Sequence, residues 1–189
     1  MNDIFFTSDT HFNHENICKL SNRPFQSLEE MTEKYVETWN SQVSNSDRIH
    51  HLGDFALSWG KKHAEPVDKI LSRLNGQKFL ITGNHDRNEV INNRRWVSVR
   101  DYCELKIDFG GVHKQRIVMC HYPLRSWNQM HRNGNWSWML HGHCHGTLKD
   151  IGGKIWDVGV DNNNHRPISI DEVKILMDFR EPLFVDHHI

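Results

Sequence analysis

The stretch Arg48-Ile-His-His-Leu-Gly-Asp54 decides the fold, because a short predicted strand ends there in a glycine turn that presents a carboxylate. The same kind of junction occurs on either side of it along the chain. A predicted strand over residues 3–8 ends at Asp9, and another over 78–82 ends at Gly83-Asn84. Since such junctions follow successive strands, they predict a sheet with polar side chains gathered along one edge.

Helices are predicted between these strands. Ser27 and Glu30 have the spacing of a capping box, and apolar residues then recur every three or four positions. Pro66 starts a second helix that Gly76 ends. The second half of the chain instead shows short strand candidates separated by glycine-rich turns, at 102–107, 116–120, 138–141 and 155–158. This order predicts an α/β fold, a four-layer sandwich of two packed mixed β-sheets flanked by helices.

Composition limits the classes of protein to consider. The 189 residues show no linker, so we expect residues 1–189 to form a single domain. The 23 basic and 24 acidic side chains nearly cancel, which argues against long nucleic acid or an anionic membrane as a partner. The N-terminus carries no basic leader segment, no apolar run is long enough for a membrane span, and the four cysteines are far apart. We therefore expect a cytoplasmic protein.

Histidine is unusually abundant, with 15 residues, and many of them lie with Asp or Asn where a predicted strand ends. Imidazole nitrogens together with carboxylate and amide oxygens suit divalent metals. Seven candidate ligands are too many for one tetrahedral site and suit two ions. The candidates are Asp9, His11, Asp54, Asn84, His121, His143 and His145. The preceding glycines, Gly53, Gly83 and Gly142, are expected to let the backbone turn sharply.

These residues resemble the five-part signature of the calcineurin-like metallophosphoesterases. The matching pieces are Asp9-Thr-His11, Gly53-Asp54, Gly83-Asn-His-Asp86, His121 and Gly142-His-Cys-His145. Their flanking sequences are similar to a group of small single-domain bacterial and phage phosphoesterases. This second likeness is carried by His11-Phe-Asn-His-Glu-Asn-Ile17, His51-Leu-Gly-Asp-Phe-Ala-Leu57 and Cys120-His-Tyr-Pro-Leu-Arg-Ser-Trp-Asn128.

The resemblance implies a role for each matched residue. One metal would take Asp9, His11 and His145, the other would take Asn84, His121 and His143, and Asp54 would bridge them. His85 would protonate the leaving oxygen or stabilise the phosphoryl group, and Asp86 would orient the His85 imidazole. The implied reaction is hydrolysis of a phosphomonoester or phosphodiester by a hydroxide shared between the two ions.

The substrate is less constrained by the sequence. Near-zero net charge and the short chain favour a small nucleotide-like phosphate ester, with Arg125 as the residue that holds a phosphate. His14, the nearest other histidine to the site in sequence, is a second candidate for substrate binding. Trp127 and Trp138 could stack on a base, although core packing is the more common role of tryptophan.

Several alternatives stay open at this stage. The other readings are a nuclease that acts on RNA or DNA ends and a non-catalytic protein-binding scaffold. Manganese is our first expectation for the metal, with zinc, iron in either common oxidation state, cobalt or nickel able to occupy the same site. The sequence does not decide the oligomeric state. We expect His50, His51 and His141 to be solvated or to support the ligands from behind.

Overall fold

The computed structural model describes residues 3–57, 66–131 and 136–183. The first sheet consists of β1 (Ile4–Thr7), β2 (Arg48–His51), β3 (Gln77–Ile81), β4 (Trp96–Arg100) and β9 (Ile168–Ser169). Its strand order is β4-β3-β2-β1-β9. Four parallel strands, β1 to β4, are followed at the edge by the short antiparallel β9.

The second sheet consists of β5 (Tyr102–Ile107), β6 (Gln115–Cys120), β7 (Trp138–His141) and β8 (Ile155–Asp157), in that order. Strands β5 and β6 form an antiparallel hairpin, and β6, β7 and β8 run parallel to one another. Both sheets are therefore mixed, and in each the parallel strands bring their carboxyl ends to one edge.

Five α-helices and one 3₁₀ turn lie within the described residues. They are α1 (Ile17–Leu20), α2 (Leu28–Gln42), α3 (Val67–Arg73), α4 (Asn88–Ile91), the 3₁₀ turn Val160–Asn162 and α5 (Ile170–Asp178). No helix of the described part of the chain has the length and apolar character needed to span a membrane.

Two buried clusters hold the layers together. In the first, Trp39 of α2 and Ile70 of α3 pack on side chains of the first sheet such as Ile49. In the second, side chains from both sheets meet face to face, and Val173 and Met177 of α5 join them. The successive residues Phe5 and Phe6 of β1 enter different clusters, as the alternation of side chains along a strand requires. The predicted α/β fold, two packed mixed sheets flanked by helices, is confirmed.

The sequence-based prediction missed six elements. The short elements α1, α4, β9 and the 3₁₀ turn were not expected, nor was strand β4, and neither was helix α5 in a half of the chain predicted to hold few helices. The signal for α5 is present in the sequence, because Ser169 and Glu172 form a complete capping box with both reciprocal hydrogen bonds. At α2, Ser27 caps the amide of Glu30, but the Glu30 carboxylate accepts from Gln26 instead of Ser27.

Candidate metal centre

The seven candidate ligands lie just beyond the carboxyl ends of five strands. Asp9 and His11 follow β1, Asp54 follows β2, Asn84 follows β3, His121 follows β6, and His143 and His145 follow β7. These strands belong to both sheets, so the candidate site lies where the two sheets meet. The strand-end pattern read from the sequence therefore does bring distant residues together.

The first ligand group consists of Asp9, His11 and His145, and each of these side chains offers one atom within 4.8 Å of the others. Asp9 and His11 are buried, whereas His145 is half-buried. One carboxylate and two imidazoles form a donor set suited to a borderline divalent ion.

The second ligand group consists of Asp54, His121 and His143, whose ligand atoms also lie within 4.8 Å of one another. Asn84 adjoins this group, because its Oδ1 atom lies 3.1 Å from His121 Nε2 and 3.0 Å from His143 Nδ1. His143 and Asn84 are exposed, so this group faces solvent more openly than the first.

Asp54 lies between the two groups. Its Oδ2 atom is 3.6 Å from Nε2 of His11 and 3.5 Å from Nε2 of His121. One carboxylate oxygen thus faces a histidine of each group, which is the position that a bridging ligand would need.

The histidine rings present nitrogens suited to a cation. His11 is buried, and neither of its ring nitrogens has a hydrogen-bond partner among the described residues. A buried polar group without a partner is costly unless a ligand or water satisfies it. His121 donates from Nδ1 to the carbonyl of Leu52 over 2.7 Å, which leaves Nε2, 3.5 Å from Oδ2 of Asp54, as the nitrogen that a metal ion would take. The residues present therefore fit a pair of divalent ions.

Burial is the largest influence on the pKa values of the buried ligands. Burial lowers the pKa of His11 to about 2, so the imidazole is neutral and able to act as a ligand. Burial raises the pKa of Asp9 to about 7, against the opposing effect of His121 and His145. Burial also opposes ionisation of Asp54, but the hydrogen bond and charge of His121 bring the pKa of that carboxyl down to about 2. A cation beside Asp9 would favour its ionised form.

The backbone at the site adopts an uncommon conformation. Five of the seven candidates have φ values in the left-handed region, namely Asp9 (56°), His11 (50°), Asp54 (57°), His143 (71°) and His145 (49°). This region disfavours residues with a Cβ atom, and such conformations cluster at functional sites. The side chains are therefore presented by tight turns that the surrounding structure has to stabilise.

The glycines before the ligands act in two different ways. Gly53 has a φ of 97° and makes the expected turn. Gly83 and Gly142 do not have left-handed φ values, so for them the expected reason was wrong. A Cβ at Gly83 would lie 2.3 Å from Oδ1 of Asp54, and one at Gly142 would lie 2.4 Å from Oδ2 of Asp9. These two glycines leave the space that the carboxylates occupy.

His85 and Asp86 differ from each other in position. The half-buried His85 ring lies edge-on to His11 of the first ligand group, with centroids 5.3 Å apart. The Asp86 carboxylate accepts hydrogen bonds from the backbone amides of Gly83, Asp54 and Phe55. We expected Asp86 to orient the His85 imidazole, but its oxygens instead brace the two turns that carry Asn84 and Asp54.

The two expected substrate-binding residues lie in different places. His14 is close to the site, with its ring edge-on to His11 at a centroid distance of 5.5 Å. Arg125 is exposed and lines a cavity of about 590 Å³ that Trp127 also lines. None of the seven candidate ligands lines this cavity, although Gly146, next to His145 in the chain, does. Trp138 is buried between the sheets.

The sequence analysis missed residues that support the site. Asp157 accepts from the amides of Gly146 and Gly159, beside the loop that carries His145. Tyr122 is exposed, and its ring lies 4.8 Å from that of His143. Asp157 ends strand β8, so the strand-end pattern could have identified it. Tyr122 directly follows His121, but its type alone does not mark it as a site residue.

Comparison with known proteins places the fold without giving a function. No protein-family model matches the chain. It is 33% identical over 184 residues to the uncharacterized protein MJ1445 of Methanocaldococcus jannaschii, covering 94% of this chain and 93% of that protein. The crystal structure of AQ665, a protein of unknown function from Aquifex aeolicus, superposes with a TM-score of 0.71 at 24% identity, over 93% of this chain and all of its own. Yfce, a phosphoesterase from E. coli, gives a TM-score of only 0.43 at 18% identity, over 83% of this chain and 78% of its own.

Proposed function

We propose that this chain, which belongs to the same family as the uncharacterized protein MJ1445 of Methanocaldococcus jannaschii, is a metal-dependent phosphoesterase of the calcineurin-like type. The observation that carries the proposal is the position of Asp54, whose Oδ2 atom lies within 3.6 Å of a histidine nitrogen of each ligand group. Two ligand groups that share a carboxylate suit two ions close together, an arrangement used for hydrolysis of phosphate esters.

The two groups would hold different ions. Asp9, His11 and His145 would hold one, Asn84, His121 and His143 the other, and Asp54 would contact both. Divalent ions held there would polarise the phosphoryl group and acidify a water molecule. Manganese remains our first expectation, because the donors are nitrogen and oxygen without sulfur.

His85 would supply the proton that the leaving oxygen needs. Its ring is half-buried, next to His11 and within reach of solvent. A histidine in this position can exchange a proton with water and deliver it to the substrate. Asp86 would act on the backbone of the site and not on the proton.

The substrate would be small and nucleotide-like. The cavity lined by Arg125 and Trp127 is large enough for such a ligand, and Trp156 and Leu148 add apolar surface to it. Arg125 would grip a phosphate group, and the apolar part of the ligand would enter the cavity. His14 would contact the substrate on the metal side. A neutral chain that carries this cavity suits a small ester better than long nucleic acid.

A cytoplasmic location forms part of the same proposal. All four cysteines are free in the structure, which suits a reducing compartment.

The test is hydrolysis by metal-loaded protein. The purified chain is stripped of metal, reloaded with Mn²⁺ and assayed on an aryl phosphomonoester, an aryl phosphodiester, nucleotides, cyclic nucleotides, sugar phosphates and short RNAs. His143→Ala should abolish activity, whereas His113→Ala, a change at another exposed histidine, should leave it unchanged.

The outcomes separate the alternatives. Turnover of small esters that depends on His143 and on metal supports the proposal. Preferential cleavage of RNA or DNA ends, with salt-dependent binding, would make the protein a nuclease. A protein that binds no metal and cleaves none of these esters would be a non-catalytic scaffold.

A further inference from the structure

A buried ion pair lies behind the first ligand group. Arg23, in the loop before α2, contacts Asp161 of the 3₁₀ turn through two parallel hydrogen bonds of 2.8 Å. The Arg23 side chain is fully buried, and that of Asp161 is only 5% exposed. Removing two charges from water is expensive, so a pair of this kind is weak evidence for stability and invites another explanation.

Asp161 also contacts a candidate ligand. Its Oδ2 atom lies 2.6 Å from Nδ1 of His145. A carboxylate accepts hydrogen bonds, so in the neutral ring Nδ1 carries the proton and Nε2 keeps its lone pair. That Nε2 atom faces Asp9, 4.0 Å from its Oδ1 atom. The contact thus selects the tautomer in which His145 can join Asp9 in binding a cation.

Arg23 holds the other two members of the group through the main chain. It donates to the carbonyl of Asp9 over 2.7 Å and to the carbonyl of Thr10 over 3.0 Å. These carbonyls belong to the left-handed turn that presents Asp9 and His11. One guanidinium therefore links the turn that carries two ligands to the carboxylate that orients the third.

The second ligand group is oriented differently. The Nδ1 atom of His121 donates to the main-chain carbonyl of Leu52. A buried charged pair thus supports the first group, whereas a neutral carbonyl supports His121. This asymmetry allows the two sites to be distinguished by mutation.

We infer that Arg23 and Asp161 are positioning residues, which fix His145 in its Nδ1-protonated tautomer and preorganise the first ligand group for its ion. The inference rests on the proposed function in assuming that an ion binds there. Loss of a partner behind a metal-binding histidine typically lowers metal affinity by about 10- to 100-fold. The effect should be confined to one of the two ions.

The first test is a calorimetric titration of metal-free protein with Mn²⁺. Wild type should bind two equivalents. In Asp161→Asn, one equivalent should bind about 10- to 100-fold more weakly, and the other should bind as in wild type. The reason is that the side-chain amide has lost the charge that paired with Arg23 and can turn its NH₂ group toward His145. Asp150→Asn is the matched control, because it removes another two-bond contact with an arginine, Arg180, away from the ligands.

The second test needs no metal. Long-range ¹H–¹⁵N spectra of the metal-free protein in mildly alkaline buffer should show the His145 ring protonated on Nδ1, and Asp161→Asn should shift it toward a mixture of tautomers. A purely structural role would leave the tautomer unchanged. Arg23→Lys keeps the charge but cannot make both contacts with Asp161, so it should give a smaller loss at the same equivalent. If the Asp161→Asn protein does not fold, Arg23→Lys serves as the test variant in its place.

Two results would overturn the inference. One is an Asp161→Asn protein that binds both ions as tightly as wild type, and the other is an unchanged His145 tautomer. Failure of the proposed function looks different, because wild type itself would then bind no ion. In that case the spectra of the metal-free protein would still decide whether Asp161 orients His145.

Discussion

The backbone amide of His85 donates a hydrogen bond of 2.8 Å to Oδ1 of Asp54. This contact fixes one oxygen of the carboxylate and leaves Oδ2 turned toward the two ligand groups. The proposed proton donor and the proposed bridging ligand are therefore held in one geometry by a main-chain contact that substitution of the His85 side chain does not remove.

Asp54→Ala should lower the number of bound ions. Wild type should hold about two equivalents of manganese after reconstitution, the number expected for a pair of sites that share a carboxylate. Without the shared carboxylate, the variant should hold one equivalent or fewer by elemental analysis. Asp68→Ala, a change at an exposed carboxylate paired with Arg95, should leave two. A single tight equivalent that Asp54→Ala does not alter would contradict the bridging role.

His85→Ala should keep both ions and lose turnover. The loss should be about 100- to 10,000-fold, the usual contribution of a positioned acid or base. It should be smaller for aryl phosphates, whose leaving groups need little protonation. Kinetics on a series of leaving groups would measure this, and an equal loss on every substrate would instead indicate stabilisation of the phosphoryl group. Loss of metal would make His85 structural.

Gly142→Ala should disrupt the first ligand group. The added methyl group would lie 2.0 Å from the Ser8 hydroxyl and 2.4 Å from Oδ2 of Asp9, so the carboxylate has to move. We expect a loss of about 1 to 3 kcal/mol in stability, as for other overpacked sites, together with weaker metal binding. Chemical denaturation and metal titration would measure both. Gly111→Ala is the control, since its methyl group would meet nothing closer than 3.8 Å.

His50 should make the metal-free protein less stable in mild acid. Its ring is stacked between Phe6 and Phe79, and burial, with a smaller effect from Arg48, lowers its pKa to about 4. In the unfolded chain the His50 ring takes up a proton near pH 6.5, whereas in the folded chain it stays neutral until the pH falls to about 4. The free energy of unfolding should therefore fall as the pH drops through this window, by on the order of 1 kcal/mol per pH unit.

Replacement of His50 isolates this effect. His50→Phe keeps an aromatic ring in the stack and removes the proton site, so its free energy of unfolding should depend less steeply on pH than that of wild type. Urea unfolding across the window, in the presence of a chelator, would measure the two slopes. Equal slopes would show that His50 does not titrate as its burial implies.

Arg125→Ala should weaken catalysis without loss of metal. If Arg125 grips a phosphate, the variant should lose about 1.5 to 3 kcal/mol of transition-state binding, measured from kcat/KM on nucleotides. Arg125→Lys should recover only part of this, because an ammonium group cannot reproduce the two-bond contact of a guanidinium. Arg94→Ala, a change at another exposed arginine, should have no effect. Wild-type rates for Arg125→Ala would show that the cavity lies outside the route of the substrate.

The strand-end pattern was sufficient to predict which residues come together. It works because parallel strands present their carboxyl ends at one edge, so residues as far apart as Asp9 and His145 need only follow their strands to meet. The contacts behind the ligands could not be predicted this way. Arg23 and Asp161 are separated by 138 positions, and neither lies in a motif that marks it.

Other differences arise from burial and local geometry. His50, His51 and His141 are buried and not solvated, with His50 and His51 packed against aromatic rings. His51 does take a supporting position, because its Nε2 atom lies 2.9 Å from the hydroxyl of Thr10, between Asp9 and His11. Histidine is a polar residue type that occurs in strands both at the surface and in the core. The sequence alone therefore does not show whether the side chain of a strand histidine faces water or the interior. The partners of Asp86 depend on how the Gly83 turn is oriented, which sequence spacing does not specify.

The left-handed backbone conformation at five candidate ligands lowers the stability of the fold, although the proposed function needs these side chains. A residue with a Cβ atom in that conformation costs about 1 to 2 kcal/mol, and glycine does not pay this penalty. Laboratory evolution for thermal stability alone would therefore be expected to replace ligands such as the exposed His143 with glycine. Only selection that also demands activity would retain them, so a screen for hardier variants of this chain has to assay both properties together.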